Sequence, residues 1–443
     1  MIADFRSSAV VRAALSLCAL ALGSGIFPKA ARADLDEYVK KPDSAFAWSQ
    51  SGSASTKAGV ITSIKLTSQV WQGITWSHDL RVYEPRELLH PDAMLLFITG
   101  GDTQRKASDD DHKQAFGLAQ VCGARVAVLP QVPNQPLLGD KTEDELIAET
   151  FVRYLQTKDE NWPLLFPMVK SAVKAMDAVQ AWARENGKPV NRFVVTGGSK
   201  RGWTTWLTGA VDDRVIGIAP MVIVMLNLGP QGPNQLKVWG QYSEQIHDYV
   251  ERGLMEKVAT PTGTNLWKMV DPFTYRDRLV KPKMLINGAN DRYWTLDALD
   301  LYWNQLQGPK YLVELPNAGH DLKVNREWAT SGLGAFFQHV VLNRPMPQLT
   351  WDFAERAAGD FDVTIRSNPA PQAARIWMAR SENRDFRESK WDGSPLKPGA
   401  TITYHGQTPS SGRLAVFGEV EYQVNGMPFH LTTTFFEPGL EKK

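Results

Sequence analysis

The 443 residues are 43% hydrophobic and 22% charged, which excludes a disordered chain and gives room for one large domain or two smaller ones. Lys and Arg number 49 against 48 Asp and Glu, a formal charge of +1, and the two signs are mixed along the chain. That balance argues against nucleic acid or an anionic surface as a partner.

The chain opens with Arg6 and Arg12, an apolar run from Ala13 to about Gly25, and Ala31-Arg32-Ala33. This is the pattern of a secretory signal over residues 1–33: a short apolar core of about 7–15 residues ending in an A-x-A site, where a membrane span needs about 20. An exported mature chain with no membrane span is therefore expected. Cys18 would leave with the signal, and Cys122 then has no partner for an intramolecular disulfide. Beside Val121 and Gly123 it reads as a small buried apolar residue.

Residues 34–58 are polar and small, and "SQSGSAST" reads as a flexible stretch. From Gly59, "VITSIKLTSQVW" and "ITWSHDLRVYEP" form a predicted antiparallel pair around Gln72-Gly73. Buried strands are then expected at 93–101, 124–131, 191–198, 214–224, 281–291 and 309–320, with a helix at 112–122 and one long amphipathic segment at 143–186. Strands alternating with helices predict an α/β fold with a mainly parallel sheet covered on both faces. The alternation breaks between Asn227 and Asp277, a Pro- and aromatic-rich stretch read as a cap inserted in a catalytic domain spanning 59–343. After the Pro-broken "NRPMPQ", residues 347–438 contain only strand patterns, with Asn425-Gly426 as a hairpin turn, and predict a small antiparallel β domain resembling a sandwich.

In a parallel sheet, chemistry gathers in the loops beyond the carboxyl ends of the strands. Three such loops carry Ser199, Asp291 and His320, in the order of a nucleophile, an orienting acid and a base. Gly197 supplies the small residue two before the serine. Two after it stands Arg201 rather than glycine, with Gly202 one position later, a departure from G-x-S-x-G. An oxyanion hole is expected from the N–H of Lys200, at the start of the following helix, and of Gly101 or Asp102, after the strand at 93–101. Lys200 and Arg201 crowd positive charge at a helix start; either one of them serves an anionic substrate group, or both point to solvent or pair with acids, and Arg201 is taken as a substrate contact. Trp203, Trp239 and Trp294 are aromatic candidates for the substrate wall, with core packing as the competing role; Trp206 and Trp267 raise the same choice. His247, in the insertion, is a weaker candidate for facing the site. Asp109, Asp110 and Asp111 read as a solvated helix start. No H-E-x-x-H, C-x-x-C, P-loop or strand-linked G-x-G-x-x-G occurs, so neither metal nor cofactor is expected.

The blocks "VPNQPL" (132–137), "EDELIAET" (143–150), "VTGGSKRGWTTW" (195–206), "VWGQYSEQIHDY" (238–249), "MVDPFTYRDRL" (269–279), "INGANDRYW" (286–294), "GPKYLVELPNAGHDL" (308–322) and "WMARSENRDFRESKW" (377–391) resemble the PhoPQ-activated pathogenicity-related protein family. The resemblance implies an exported protein of α/β-hydrolase fold, distantly similar to prolyl-oligopeptidase-type and esterase-type serine hydrolases, with the family's Ser, Asp and His falling on Ser199, Asp291 and His320. It implies no particular reaction. Two functions follow as expectations. One is a serine hydrolase acting on peptide or ester bonds of a small-molecule or peptide substrate. The other is a catalytically silent binding or signalling protein whose C-terminal β region meets a protein partner.

Overall fold

A computed structural model describes residues 35–440. The signal read in residues 1–33, with Cys18, lies outside them. Among the described residues no helix is long and apolar enough to cross a membrane.

A nine-stranded sheet forms the centre. In chain order its strands are β1 (Ala47–Ser55), β2 (Gly59–Trp71), β3 (Ile74–Pro85), β4 (Ala93–Ile98), β5 (Arg125–Leu129), β6 (Arg192–Gly198), β7 (Val215–Met221), β8 (Lys283–Gly288) and β9 (Lys310–Leu315). They lie in the order β1-β2-β3-β5-β4-β6-β7-β8-β9. Pairing is antiparallel from β1 to β5 and parallel from there to β9. The central strands are continuous apolar runs because helices cover both faces.

The helices are α1 (Leu35–Lys40), α2 (Asp109–Cys122), α3 (Glu143–Thr157), α4 (Leu165–Glu185), α5 (Lys200–Val211), α6 (Leu228–Trp239), α7 (His247–Glu251), α8 (Leu254–Lys257), α9 (Pro261–Val270) and α10 (Arg326–Val341). Helices α4 and α5 share a core with one face of the sheet, and α2 and α10 with the other. Helices α6 to α9 occupy the segment between β7 and β8 where the alternation breaks.

Two expectations change. The stretch 47–55 is not a flexible loop but β1, paired along β2 from Ala47↔Thr67 to Ser55↔Val60. Its Ser, Gly and Gln residues are exposed on both faces, so it shows no apolar alternation; the backbone ladder to β2 carries it, helped by Trp48 on the core and by Gln50 Oε1, which accepts from Trp182 Nε1, and its polarity suits an edge. The long segment at 143–186 is two helices, parted at Lys158, which takes a left-handed φ of 63°, and restarted beyond Pro163.

Past α10 follow β10 (Gln348–Glu355), β11 (Asp360–Asn368), β12 (Ala373–Ser381), β13 (Asp392–Leu396), β14 (Thr401–Gln407), β15 (Arg413–Val424) and β16 (Met427–Thr432). They make two antiparallel sheets, β10-β11-β14 and β13-β12-β15-β16. Asn425 and Gly426 both have positive φ (49° and 78°), as a two-residue hairpin turn requires. Phe361, Val363 and Ile365 of one sheet and Ile376, Val416 and Val420 of the other belong to one apolar cluster. That same cluster continues into Phe336 of α10 and Val313 of β9. The C-terminal strands thus share their core with the large sheet.

This shared core has a measurable consequence. Phe336 is fully buried in it, so Phe336→Ala should destabilise the whole chain by roughly 3–5 kcal/mol. Urea unfolding of wild type and variant should be one transition by both tryptophan fluorescence and far-UV circular dichroism. Two separated transitions, only one of them moved, would contradict it.

Candidate active site

The turn between β6 and α5 is built by close backbone approach. Ser199 sits at φ 57°, ψ −127°, a strained conformation for a non-glycine residue, and its N–H donates to the Met221 carbonyl at 2.9 Å. A Cβ on Gly197 would meet the Arg201 carbonyl oxygen at 2.8 Å. One on Gly202 would meet the Met221 oxygen at 2.8 Å and Ile223 at 2.7 Å. Gly202 therefore does the work expected of a glycine at 201, one residue later.

Position 201 is free to carry arginine because its side chain leaves the turn. Its Nε donates to the Val132 carbonyl (2.5 Å), and its two terminal nitrogens grip Glu143 at 2.7 Å each. The guanidinium lies over Gly100, where a Cβ would come within 2.2 Å of it. Lys200, also buried, pairs with Glu143 (2.9 Å) and Asp144 (3.2 Å). The positive charge at the helix start is thus answered by acids of the protein itself. Burial would raise the Glu143 carboxyl, but the hydrogen bonds and charges of Arg201 and Lys200 hold it well below the usual carboxylate range.

Asp291 and His320 meet at the ends of neighbouring strands. Gly288, at the end of β8, lets the next loop in: a Cβ there would lie 2.4 Å from the Ala318 oxygen. The Asn290 N–H donates to that same carbonyl (2.9 Å). The His320 Nδ1 then lies 2.8 Å from Oδ2 of the buried Asp291, whose Oδ1 accepts the Tyr293 N–H at 2.9 Å. A carboxylate acceptor on Nδ1 assigns the proton there and leaves Nε2 as the base. Nε2 is buried and has no hydrogen-bond partner among the described residues.

The Tyr293 ring covers the imidazole, 4.2 Å between centroids and tilted by 30°. Its hydroxyl donates to Asp144 (3.2 Å), as does that of Tyr249 (3.0 Å). Burial, and then the Asp144 carboxylate, hold both phenols well above their ordinary pKa, so they stay donors. Under the capping helices lies a cavity of ≈ 90 Å³ walled by Trp203, Ile223, Met225, Trp267 and Trp294, with Ser199, Lys200 and Asp144 at one end. A second groove of ≈ 290 Å³ reaches His320 and Gly198 from the α2/α10 side, along Thr99 and Gly100.

Of the residues singled out from the sequence, Ser199, Lys200, Trp203 and Trp294 line one cavity. His320 and Arg201 line the adjoining groove, and Asp291 lies behind His320. Gly101 and Asp102 occupy the loop after β4. Gly101 has φ 100° and Asp102 is exposed. Trp239 is elsewhere: the Arg387 guanidinium stands 4.2 Å from its ring centroid, at the far end of α6. Trp206 is fully buried core. His247 is exposed and beside Asp248. Asp111 closes a capping box with Ser108 at the solvated start of α2. Burial pushes the Cys122 thiol up, as for an inert core residue.

Sequence reasoning passed over Glu143, Asp144, Tyr249 and Tyr293. The one sequence signal for the acids is the Lys200-Arg201 pair itself, for which acid partners are one of the expected answers. It also passed over Glu314, buried on β9, which accepts from Asn287 (3.1 Å) and shares a small cavity with Asp291. Burial, then the Asp291 charge, against the pull of Asn287, push Glu314 up to about 8. Beside Asp291, the Glu314 carboxyl therefore keeps its proton to a higher pH than an ordinary carboxyl does.

The strand order, with the strained serine after β6, the acid after β8 and the histidine after β9, defines an α/β-hydrolase fold. A model of the PhoPQ-activated pathogenicity-related protein family matches residues 35–387, and the chain belongs to that family. The autocrine proliferation repressor protein A of Dictyostelium discoideum is 30% identical over 92% of this chain and 89% of its own length. Among solved structures, acetyl xylan esterase 1 of Thermoanaerobacterium sp. is similar at 17% identity over 68% of this chain and 93% of its own, with a TM-score of 0.48. The S-formylglutathione hydrolase of Agrobacterium tumefaciens is similar at 14% identity over 67% and 99%, with a TM-score of 0.44.

The Glu314 environment gives a pH test. Below the ordinary carboxylate range both folded and unfolded chains hold its proton. Between that range and about 8 only the folded chain does, so this contribution to stability is lost as pH rises through 8. Glu314→Gln keeps the shape and removes the titration. The variant's thermal midpoint should gain on wild type from pH 5 up to about pH 8 and level off above it; two parallel curves across that range would refute the assignment.

Proposed function

We propose that this chain is a serine hydrolase that works through an acyl-enzyme. Ser199 attacks the substrate carbonyl and His320 Nε2 takes its proton. As the carbonyl re-forms, His320 hands that proton to the leaving group. Water, activated by the same imidazole, then releases the acid and restores Ser199. Asp291 fixes the ring and its tautomer. The N–H of Lys200, which has no intrahelical acceptor at the first position of α5, and an N–H of Gly101 or Asp102 hold the oxyanion; one such donor is worth roughly 3 kcal/mol of barrier. The observation that carries this reading is the 2.8 Å Asp291–His320 contact at the sheet end where the strained Ser199 also stands. The aromatic cavity beside Ser199 suits a compact apolar or aromatic acyl group, on either an ester or a peptide. The signal pattern read in residues 1–33 supports action outside the cytoplasm, and neither a metal nor a cofactor enters the steps.

One observation favours the other reading, a binding or signalling protein: the Ser199 hydroxyl makes no hydrogen bond to the open His320 Nε2. The Dictyostelium relative, too, is named for autocrine repression of proliferation rather than for a reaction. Catalytic hydrogen bonds are often slack without substrate, so the hydrolase reading keeps its place.

A fluorophosphonate separates the two. Wild type should be labelled on Ser199 and Ser199→Ala should not, while Asp291→Asn should lower kcat on p-nitrophenyl esters by about four orders of magnitude. Folded wild type that takes no label would favour the binder. Because Lys200 and Arg201 are answered internally, Arg201→Met should reduce kcat/KM by the same factor for anionic and neutral substrates. A loss confined to anionic substrates would restore Arg201 as a substrate contact.

A further inference from the structure

The block "WMARSENRDFRESKW" has so far found no role, although its second half reaches the two loops that carry Asp291 and His320. The Asn290 amide, one residue before Asp291, donates to three carbonyls of this segment: Phe386 (3.2 Å), Arg387 (3.1 Å) and Ser389 (2.7 Å). Asn317, three residues before His320, makes a reciprocal pair with Trp391: its Nδ2 donates to the Trp391 carbonyl (2.9 Å) and its Oδ1 accepts the Trp391 N–H (2.8 Å). Between these anchors, Phe386 and Trp391 are almost wholly buried in a small apolar cluster that includes Ala289 of the acid loop.

We infer that Arg384–Trp391 is a structural part of the active site that holds the Asp291 and His320 loops in register, with Asn290 and Asn317 as positioning residues. Each amide side chain bridges a catalytic loop to one short piece of main chain, so the two loops are referenced to a common support rather than only to each other. The carbonyls of Phe386, Arg387 and Ser389 can all accept from Asn290 only while the segment keeps its turn, and Arg387 braces that turn from the cap side. It donates to Glu244 (2.8 Å), which also takes Arg292 of the acid loop (2.6 Å). An imidazole displaced by about 1 Å loses on the order of 100-fold in rate, so a support of this kind acts on kcat.

The inference rests on the serine-hydrolase reading for its kinetic arm and not for its spectroscopic arm. The test uses the full chain with Asn317→Gly and Asn290→Ala. Asn317 has φ 62°, where glycine is unstrained, so this variant deletes the amide without bending the backbone. With p-nitrophenyl acetate, both variants should lose about 10- to 100-fold in kcat with KM within about threefold. In 15N-histidine-labelled protein, the downfield Nδ1 proton of His320, identified by its loss in His320→Gln, should broaden or move in both. Variants that melt earlier yet keep kcat within twofold and the resonance unmoved would make the segment merely a stabilising contact and overturn the inference. If wild type neither turns over ester nor takes a fluorophosphonate, the hydrolase reading falls; the resonance in Asn317→Gly and Asn290→Ala still decides whether the segment positions the pair.

Discussion

The grip of Arg201 on Glu143 organises the catalytic end of this molecule. A helix start that carries two cationic side chains adds their charge to the positive end of its own dipole, and buried cations persist only when paired. Glu143 and Asp144 supply the pairing from the start of α3, and in doing so fasten α3 to α5. The Arg201 Nε bond to Val132 and the contact over Gly100 extend the tie to the loops after β5 and β4. Asp144 then collects the hydroxyls of Tyr249 and Tyr293, and Tyr293 lies on His320. One chain of polar contacts therefore runs from the turn at Ser199 to the face of the imidazole. A buried pair of this kind adds little net stability, since desolvation offsets its attraction, but removing one partner strands a charge. Its geometric effect is to tie the loops after β4 and β5, the start of α3 and the loop after β8 to one another.

The sequence reveals those features whose cause is local. β-Branched runs ending in glycine mark the strands, and Asn425-Gly426 marks its hairpin because only residues tolerant of positive φ make that turn. The order Ser199, Asp291, His320 is visible because each residue follows its own strand. What stays hidden depends on partners far along the chain. β1 carries no apolar face beyond Trp48, so most of what fixes it is the backbone of β2 beside it. The role of Gly202 emerges once Arg201 is seen to turn away toward Glu143, 58 residues earlier. Trp203, Trp239 and Trp294 look alike in sequence, yet two wall the cavity and one packs under Arg387. Asn290 and Asn317 resemble ordinary turn formers, and only the arrival of 386–391 shows what their amides hold.

The position of the acid and the histidine on the last two strands explains why the C-terminal strands are joined so closely to the sheet. β9 is the edge, with β8 on one side and, among the described residues, no strand hydrogen-bonded in the ladder on the other. An edge strand leaves its loop braced from one direction and its backbone groups open. Here the open side is covered: the Glu314 N–H donates to Thr432 Oγ1 of β16 at 3.0 Å, and α10 packs against both β9 and β16. Glu314, whose carboxyl is pushed up by burial within this cover, and Asn317, clasped to Trp391, lie on either side of the loop entry to His320. A sheet that ended at β9 with solvent beyond it would leave His320 on a loop braced from one side only. In this chain the C-terminal strands close that edge, and the rigidity that a proton-transfer geometry requires comes from outside the sheet that carries the residues.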